Sequence, residues 1–251
     1  MTTAVCDSFA PPSFPFRENV SLRLADANCR LVVSSPALDP TLWTEYLAGA
    51  VRSYAKHGVE RTLNIDAIRD GADTRLFFAA VDNRDRVVGG ERVVGPLWSA
   101  DDSHAVIEWG GSPGAVTVRK MINDRVPFGV VEVKSAWAQS DSPYRDAIAT
   151  ALARTALPIM ALLGVQFVMA TAAAHVLDRW RASGGVVAAA IPAVAYPDER
   201  YRTKMMWWDR STIANHAEPK ELSRMYTETS ELMRDVQGSS GIAVAGAGTA
   251  R

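Results

Sequence analysis

Cysteine is nearly absent from this chain: Cys6 and Cys29 are the only two among 251 residues. Two thiols cannot build a disulfide framework, so a stapled secreted scaffold is excluded and a reducing, cytoplasmic setting is the expectation. A basic excess is also missing, because 27 Lys and Arg face 28 Asp and Glu. The net charge of -1 leaves no electrostatic footprint for nucleic acid. No uninterrupted apolar run reaches about 18 residues, which leaves out a transmembrane helix. Residues 1–16 contain Asp7, Pro11, Pro12 and Pro15 and no cationic start, and so do not make a signal peptide. The four histidines, His57, His104, His175 and His216, lack metal-ligand spacing, and no metal is expected.

What is present suits one domain with decorated ends, since 48% of the residues are hydrophobic and 22% charged. Three stretches differ in character. Residues 1–36 read as an irregular arm, with Phe14 and Phe16 held extended among prolines, followed by short strands at Leu22-Arg-Leu-Ala and Cys29-Arg-Leu-Val-Val. Residues 37–215 alternate helix and strand patterns. Residues 216–251 hold an amphipathic helix over 218–236, built on Leu222, Met225, Leu232 and Val236, and a Gly/Ala-rich tail from Gly238 expected to be disordered.

Within the middle stretch, Asp39 and Pro40 predict a helix start as N-cap and first helical residue. Trp43, Leu47, Val51 and Tyr54 keep helical spacing up to His57-Gly58. Residues 59–73 read as loop with one short helix. Thr74-Arg-Leu-Phe-Phe-Ala-Ala-Val and Arg86-Val-Val-Gly-Gly-Glu-Arg-Val-Val-Gly flank a charged turn and predict a hairpin. Residues 99–113 read as irregular, and a helix over 115–125 stops before Pro127. Residues 130–138 predict a strand with one carboxylate, Glu132, in a buried run. Ser142 as N-cap then opens a helix through Ile148, Leu152, Ala156, Ile159 and Leu163, which Pro158 should kink. Residues 167–171 form a strand, 175–183 a short helix, and 186–196 and 204–208 two closing strands.

Three local patterns in this order carry a family resemblance. Leu76-Phe-Phe-Ala-Ala-Val with Val87-Val-Gly-Gly-Glu-Arg92 is similar to a strand, turn, G-x-x-R hairpin. Val131-Glu132-Val places a glutamate on a central strand, and Leu177-Asp-Arg-Trp180-Arg-Ala-Ser-Gly184 resembles an L-x-x-Y-x-x-x-G helix. Over residues 37–212 the chain resembles the GNAT acyltransferase superfamily, nearest the branch of acyl-homoserine-lactone synthases and N-acyl amino acid synthases. The resemblance implies an α/β (α+β) fold with a mixed, mostly antiparallel sheet flanked by helices and splayed between its fourth and fifth strands. It also implies an acyl thioester as co-substrate, with no tightly bound cofactor. The superfamily's glycine-rich phosphate loop is replaced by Ser140-Asp-Ser-Pro-Tyr-Arg-Asp-Ala, without glycine. An acyl carrier protein donor depends less on such a loop than coenzyme A does. The usual tyrosine is Trp180.

Around the end of the 130–138 strand and across the hairpin and short helix, each candidate residue has a chemical role beside a plainer one. Glu132 is either a base or amine anchor, or one half of a structural salt bridge. His175 is a proton shuttle or a core histidine, while His57 and His104 read as surface or loop residues. Arg92 either holds an acceptor carboxylate bidentately or is an exposed strand arginine. Trp137 and Tyr144 line an acyl channel or fill the core. Main-chain N–H groups at Ala136 and Ala138 polarise the thioester, and Arg145 contacts phosphate or is solvated. The expected function is transfer of an acyl group from acyl-CoA or acyl carrier protein to the amine of a small metabolite or amino acid. The alternatives are a non-catalytic module of the same fold that binds an acyl ligand or a protein partner, and an ordinary acetyl-CoA enzyme with an atypical phosphate loop. A homo-oligomer is compatible with either class.

Overall fold

The structure is a computed structural model that describes the backbone of residues 17–241 and the side chains of 17–238. Phe14, Phe16 and Cys6 lie outside the described residues. In chain order the elements are β1 (Val20–Leu24), β2 (Cys29–Ser34), α1 (Pro40–Ala55), α2 (Ile65–Ile68), β3 (Thr74–Asp82) and β4 (Val87–Val94). Next come α3 (Ala105–Glu108), α4 (Ala115–Asn123), β5 (Val130–Ala138), α5 (Arg145–Ala153), α6 (Ala156–Leu163) and β6 (Phe167–Ala173). The chain continues with α7 (Leu177–Ala182), β7 (Val186–Val187), β8 (Thr203–Asp209), α8 (Ile213–His216) and α9 (Pro219–Gly241).

One eight-stranded sheet runs β1-β2-β3-β4-β5-β6-β8-β7. Every neighbouring pair is antiparallel except β5 and β6, which run parallel. The first two strands belong to this sheet, so the N-terminal stretch joins the main body from Val20 onward. Strand alternation sends Phe77, Arg92, Glu132 and Lys134 to one face and Phe78, Glu91, Val93 and Val133 to the other. Helices α1, α3 and α4 cover the first face; α5, α6, α7 and α9 cover the second.

Helix α1 starts as its sequence dictates: the Asp39 carboxylate accepts the Leu42 N–H at 2.9 Å and Pro40 occupies the first turn. Its buried stripe of Trp43, Tyr46, Leu47 and Ala50 packs on the sheet. Gly49 allows close approach, since a Cβ there would sit 2.1 Å from the Trp137 ring.

Pro158 acts as expected, and the structure shows where. Lacking an N–H for the carbonyl of Arg154, it ends the helical ladder four residues upstream. Helices α5 and α6 are therefore separate segments bent by 42° around Arg154 and Thr155. At that bend the buried Arg154 guanidinium binds Glu221 and Glu228 of α9 at 2.6–3.1 Å and ties the C-terminal helix to the core. Among the described residues no single helix is long and apolar enough to cross a membrane.

Several local expectations are corrected. Residue 144, not Ser142, is the N-cap of α5; Ser142 Oγ instead accepts the Tyr144 N–H at 3.2 Å in the preceding turn. The expected strand over 186–196 is reduced to two residues, with an isolated bridge at Val194, because the turn closed by Ile191 N donating to Ala188 O, and then Pro192, interrupt pairing. Residues 99–113 contain the short helix α3. Helix α9 runs to Gly241, four residues into the tail expected to lack structure, and Met225, Leu232 and Val236 are buried. Residues 242–251 lie outside the described residues.

Candidate active site

Strands β5 and β6 pair only from Val130–Phe167 to Val133–Ala170. Beyond that point β5 carries an extra residue relative to β4, since Arg92 opposes Lys134 while Gly90 opposes Trp137. Ser135, in the left-handed region at φ 53°, forms this bulge, and its carbonyl accepts the Tyr46 hydroxyl at 2.9 Å. A bulge bends and overtwists its strand. Here it turns the end of β5 away from β6 and opens a cavity of about 410 Å³ between residues 133–138 and 170–173. These are the fifth and sixth strands of the chain, and the fourth and fifth of the sequence expectation once β1 is set aside.

Gln139 N donates to Val88 O of β4 at 2.8 Å. Backbone alternation therefore aims the main-chain groups of Ala138 and Ala136 into the gap. Both residues line the cavity, as do Trp137, Arg145 and His175. Glu132, Arg92 and Tyr144 do not.

On the α1/α3 side the wall is a polar cluster. His104 precedes α3 and Glu108 ends it, one helical turn apart, and His104 Nδ1 lies 2.9 Å from Glu108 Oε1. The same oxygen accepts from Thr171 Oγ1 at 2.9 Å and Lys134 Nζ at 3.2 Å. Lys134 Nζ also lies 3.5 Å from Glu132 Oε1. His104 Nε2 faces the Tyr196 hydroxyl at 3.5 Å. Burial opposes the charge on Glu108, but Lys134, His104 and Thr171 outweigh it and hold the carboxyl below the ordinary glutamate range. Burial pushes the phenol of Tyr196 up to about 12, keeping it a hydrogen-bond donor. Exposure separates the roles: His104 keeps 28% of its side chain open against 3% for Glu108. The imidazole is the group a bound molecule meets.

The sequence candidates are thus partly relocated. Glu132 is fully buried and its Oε2 accepts the His104 backbone N–H at 3.0 Å. It clamps the start of α3 to the sheet, one layer behind the cavity. Arg92 is also buried, not exposed. Its Nη1 meets both oxygens of Asp73 at 2.8 Å and Thr74 Oγ1 at 3.0 Å, and its Nε reaches Ser135 Oγ at 3.5 Å, so the guanidinium is tied to the sheet's own loops and does not line the cavity. Tyr144 is exposed and borders a separate surface groove with Gln139 and Ser142. Trp137 is buried against Tyr46, ring centroids 6.4 Å apart, and forms part of the cavity wall. His175 is exposed at the opposite mouth beside Tyr201, 6.5 Å between rings.

That second mouth, on the α5/α7 side, is cationic. Arg145, Arg179 and His175 line it, with Trp180 packed edge-on against Trp208 at 5.6 Å. The loop before α5 uses its own N–H groups: Ser142 N donates to Gln139 O, Tyr144 N to Ser142 Oγ and Arg145 N to Ser142 O, each at 3.2 Å. Among the described residues no group of three or more His, Cys, Asp or Glu side chains could hold a metal ion.

The missed residues, His104, Glu108, Lys134, Thr171 and Tyr196, come from four segments. Only the four-residue spacing of His104 and Glu108 and the two-residue spacing of Glu132 and Lys134 were available as signals.

The splayed parallel pair within an antiparallel sheet defines the GNAT fold. BjaI, a CoA-dependent acyl-homoserine lactone synthase solved with SAM and isopentyl-CoA, superposes with a TM-score of 0.51 at 19% identity. That match covers 79% of this chain and 88% of BjaI. FeeM, an N-acyl amino acid synthase from uncultured soil microbes, gives a TM-score of 0.51 at 10% identity, covering 81% of this chain and 97% of FeeM. No protein-family model matches the chain. Uncharacterized protein Rv1356c of Mycobacterium tuberculosis (strain ATCC 25618 / H37Rv) is 68% identical over 249 residues, 99% of this chain and 94% of the relative. Uncharacterized protein Mb1391c of Mycobacterium bovis matches to the same extent, and the chain belongs to the family of these mycobacterial proteins.

Proposed function

We propose that this protein is an N-acyltransferase that moves an acyl group from a thioester to a small-molecule amine through the gap between β5 and β6. The observation that carries this reading is the position of the His104–Glu108 pair on one wall of a gap whose other mouth is cationic. A thioester donor, acyl-CoA or acyl carrier protein, enters from the α5/α7 side, where Arg145 and Arg179 meet phosphate. The N–H groups of Ala136 and Ala138 polarise its carbonyl.

The acceptor arrives on the α1/α3 side as an ammonium ion. With Nδ1–H donating to Glu108, His104 Nε2, which has only the long 3.5 Å contact with the Tyr196 hydroxyl to give up, takes one ammonium proton. The amine attacks the carbonyl carbon, the C–S bond breaks, and the thiolate leaves with the second proton lost by nitrogen. Trp180 has no acidity to contribute, so the thiolate serves as its own proton acceptor. Lys134 and Thr171 fix Glu108, and Glu132 fixes the helix that carries His104. Because the thioester is already activated, orientation and proton removal supply the acceleration.

Mass spectrometry of the purified chain incubated with acyl-CoA, acyl carrier protein thioesters and pooled amines tests this directly. A new amide that falls about 100-fold or more in Glu108→Gln is the expected result. The internally bonded loop before α5 and Trp180 favour a second reading, a thioester-binding module without turnover. Tight thioester binding with no thiol release establishes that reading instead.

A further inference from the structure

We infer that the acceptor is an amine without a carboxylate beside its ammonium group. The inference rests on the acyl-transfer reading and concerns which acceptors the α1/α3 wall admits. Of the buried charges there, Glu108 and Glu132 are two carboxylates and Lys134 is a single ammonium, bonded to the first and 3.5 Å from the second. Glu108 lines the cavity and Glu132 lies one layer behind it, so two carboxylates share one ammonium in a desolvated region, where charges are weakly screened.

Two further observations point to a cation. Glu108 Oε2 and Glu132 Oε1 are buried oxygens without a hydrogen-bond partner among the described residues. All three donors to Glu108 converge on its other oxygen. Of the two residues only Glu108 lines the cavity, and a donor brought from outside satisfies the lone pair its neighbours leave unmatched. A carboxylate finds no counterpart. Arg92, a guanidinium on this face of the sheet, is held by Asp73 and Thr74 through Nη1 and does not line the cavity. Arg145 and Arg179 stand at the donor's mouth, and Arg179 already pairs with Asp146 at 3.1 Å. An α-amino acid would set its carboxylate against Glu108 with only Lys134, already shared between Glu108 and Glu132, to offset it, and like charges juxtaposed in an interface are strongly disfavoured.

Paired acceptors test this on the full chain by ligand-observed NMR titration: phenethylamine against phenylalanine, and putrescine against ornithine. In both pairs the decarboxylated amine should bind at least about tenfold more tightly. Glu108→Gln should narrow that preference, and Lys134→Met, which removes the ammonium paired with Glu108, should widen it. Equal or tighter binding of the amino acid in either pair overturns the inference, as does absence of binding by both amines at millimolar concentration. Amine-selective binding without amide formation from any thioester would leave the inference standing and refute the acyl-transfer reading.

Discussion

At the scale of single residues, the site illustrates why a carboxylate's neighbours matter more than its strand. Glu132 announces itself in sequence because it interrupts a run of valines, yet it holds a backbone N–H while Glu108 orients the imidazole. The spacing of His104 and Glu108 is legible only once residues 104–108 are known to be helical. Ser and Gly around that stretch conceal the helix, and Lys134, Thr171 and Tyr196 reach it solely through tertiary contact. Arg92 was misjudged for the converse reason: a strand arginine looks free until Asp73 comes round from the preceding turn.

Glu91 offers a residue-scale prediction away from the cavity. It is fully buried on the α5/α6 face, and burial pushes its carboxyl up to about 8, against the opposing contact with the Thr155 hydroxyl. Thr155 Oγ1 also donates to Leu152 O at 2.9 Å, an arrangement a protonated Glu91 completes by donating to Oγ1. The folded value stands above the ordinary 4.5. The native state therefore keeps this proton longer than the unfolded chain, and stability is full below about pH 4.5 and declines toward pH 8. Glu91→Gln should remove that decline and raise the melting temperature at pH 8 relative to the parent. An unchanged pH profile in thermal melts contradicts this assignment.

At the scale of elements, much was legible. The cap of α1, the β3–β4 hairpin, strand β5 and the kink at Pro158 follow from local chemistry: an Asp-Pro start, alternating apolar residues, and a missing N–H. The bulge at Ser135 was not, because a serine at positive φ leaves no mark in composition. That bulge opens the gap, so it is a direct handle on the fold's functional feature. Ser135→Gly accepts the backbone conformation freely and should keep both stability and thioester binding. Ser135→Val, with a β-branched side chain forced to positive φ, should lose about 1–3 kcal/mol in urea titration and bind thioester more weakly. Equal behaviour of the two variants would mean that the bulge does not control the opening.

At the scale of the whole molecule, the sheet divides the cavity into two mouths of opposite character. One presents Arg145, Arg179 and His175; the other presents His104 backed by two buried carboxylates. The division needs the long C-terminal helix, since α9 packs on α6 and β1 and binds Arg154 at the bend that sets the direction of α5. Sequence reading set this helix and the first strands apart as appendages, because their partners lie almost the full chain length away, as in the pairing of Arg224 with Asp26.

The account's central claim is that His104, held by Glu108, removes the proton from the acceptor, while His175 at the far mouth does not. Single-turnover thiol release with a saturating acyl thioester and a productive amine compares His104→Ala with His175→Ala. The account predicts a loss of about 100-fold or more in the first and a change within a few-fold in the second. A rate preserved in His104→Ala, or lost equally in both, contradicts it.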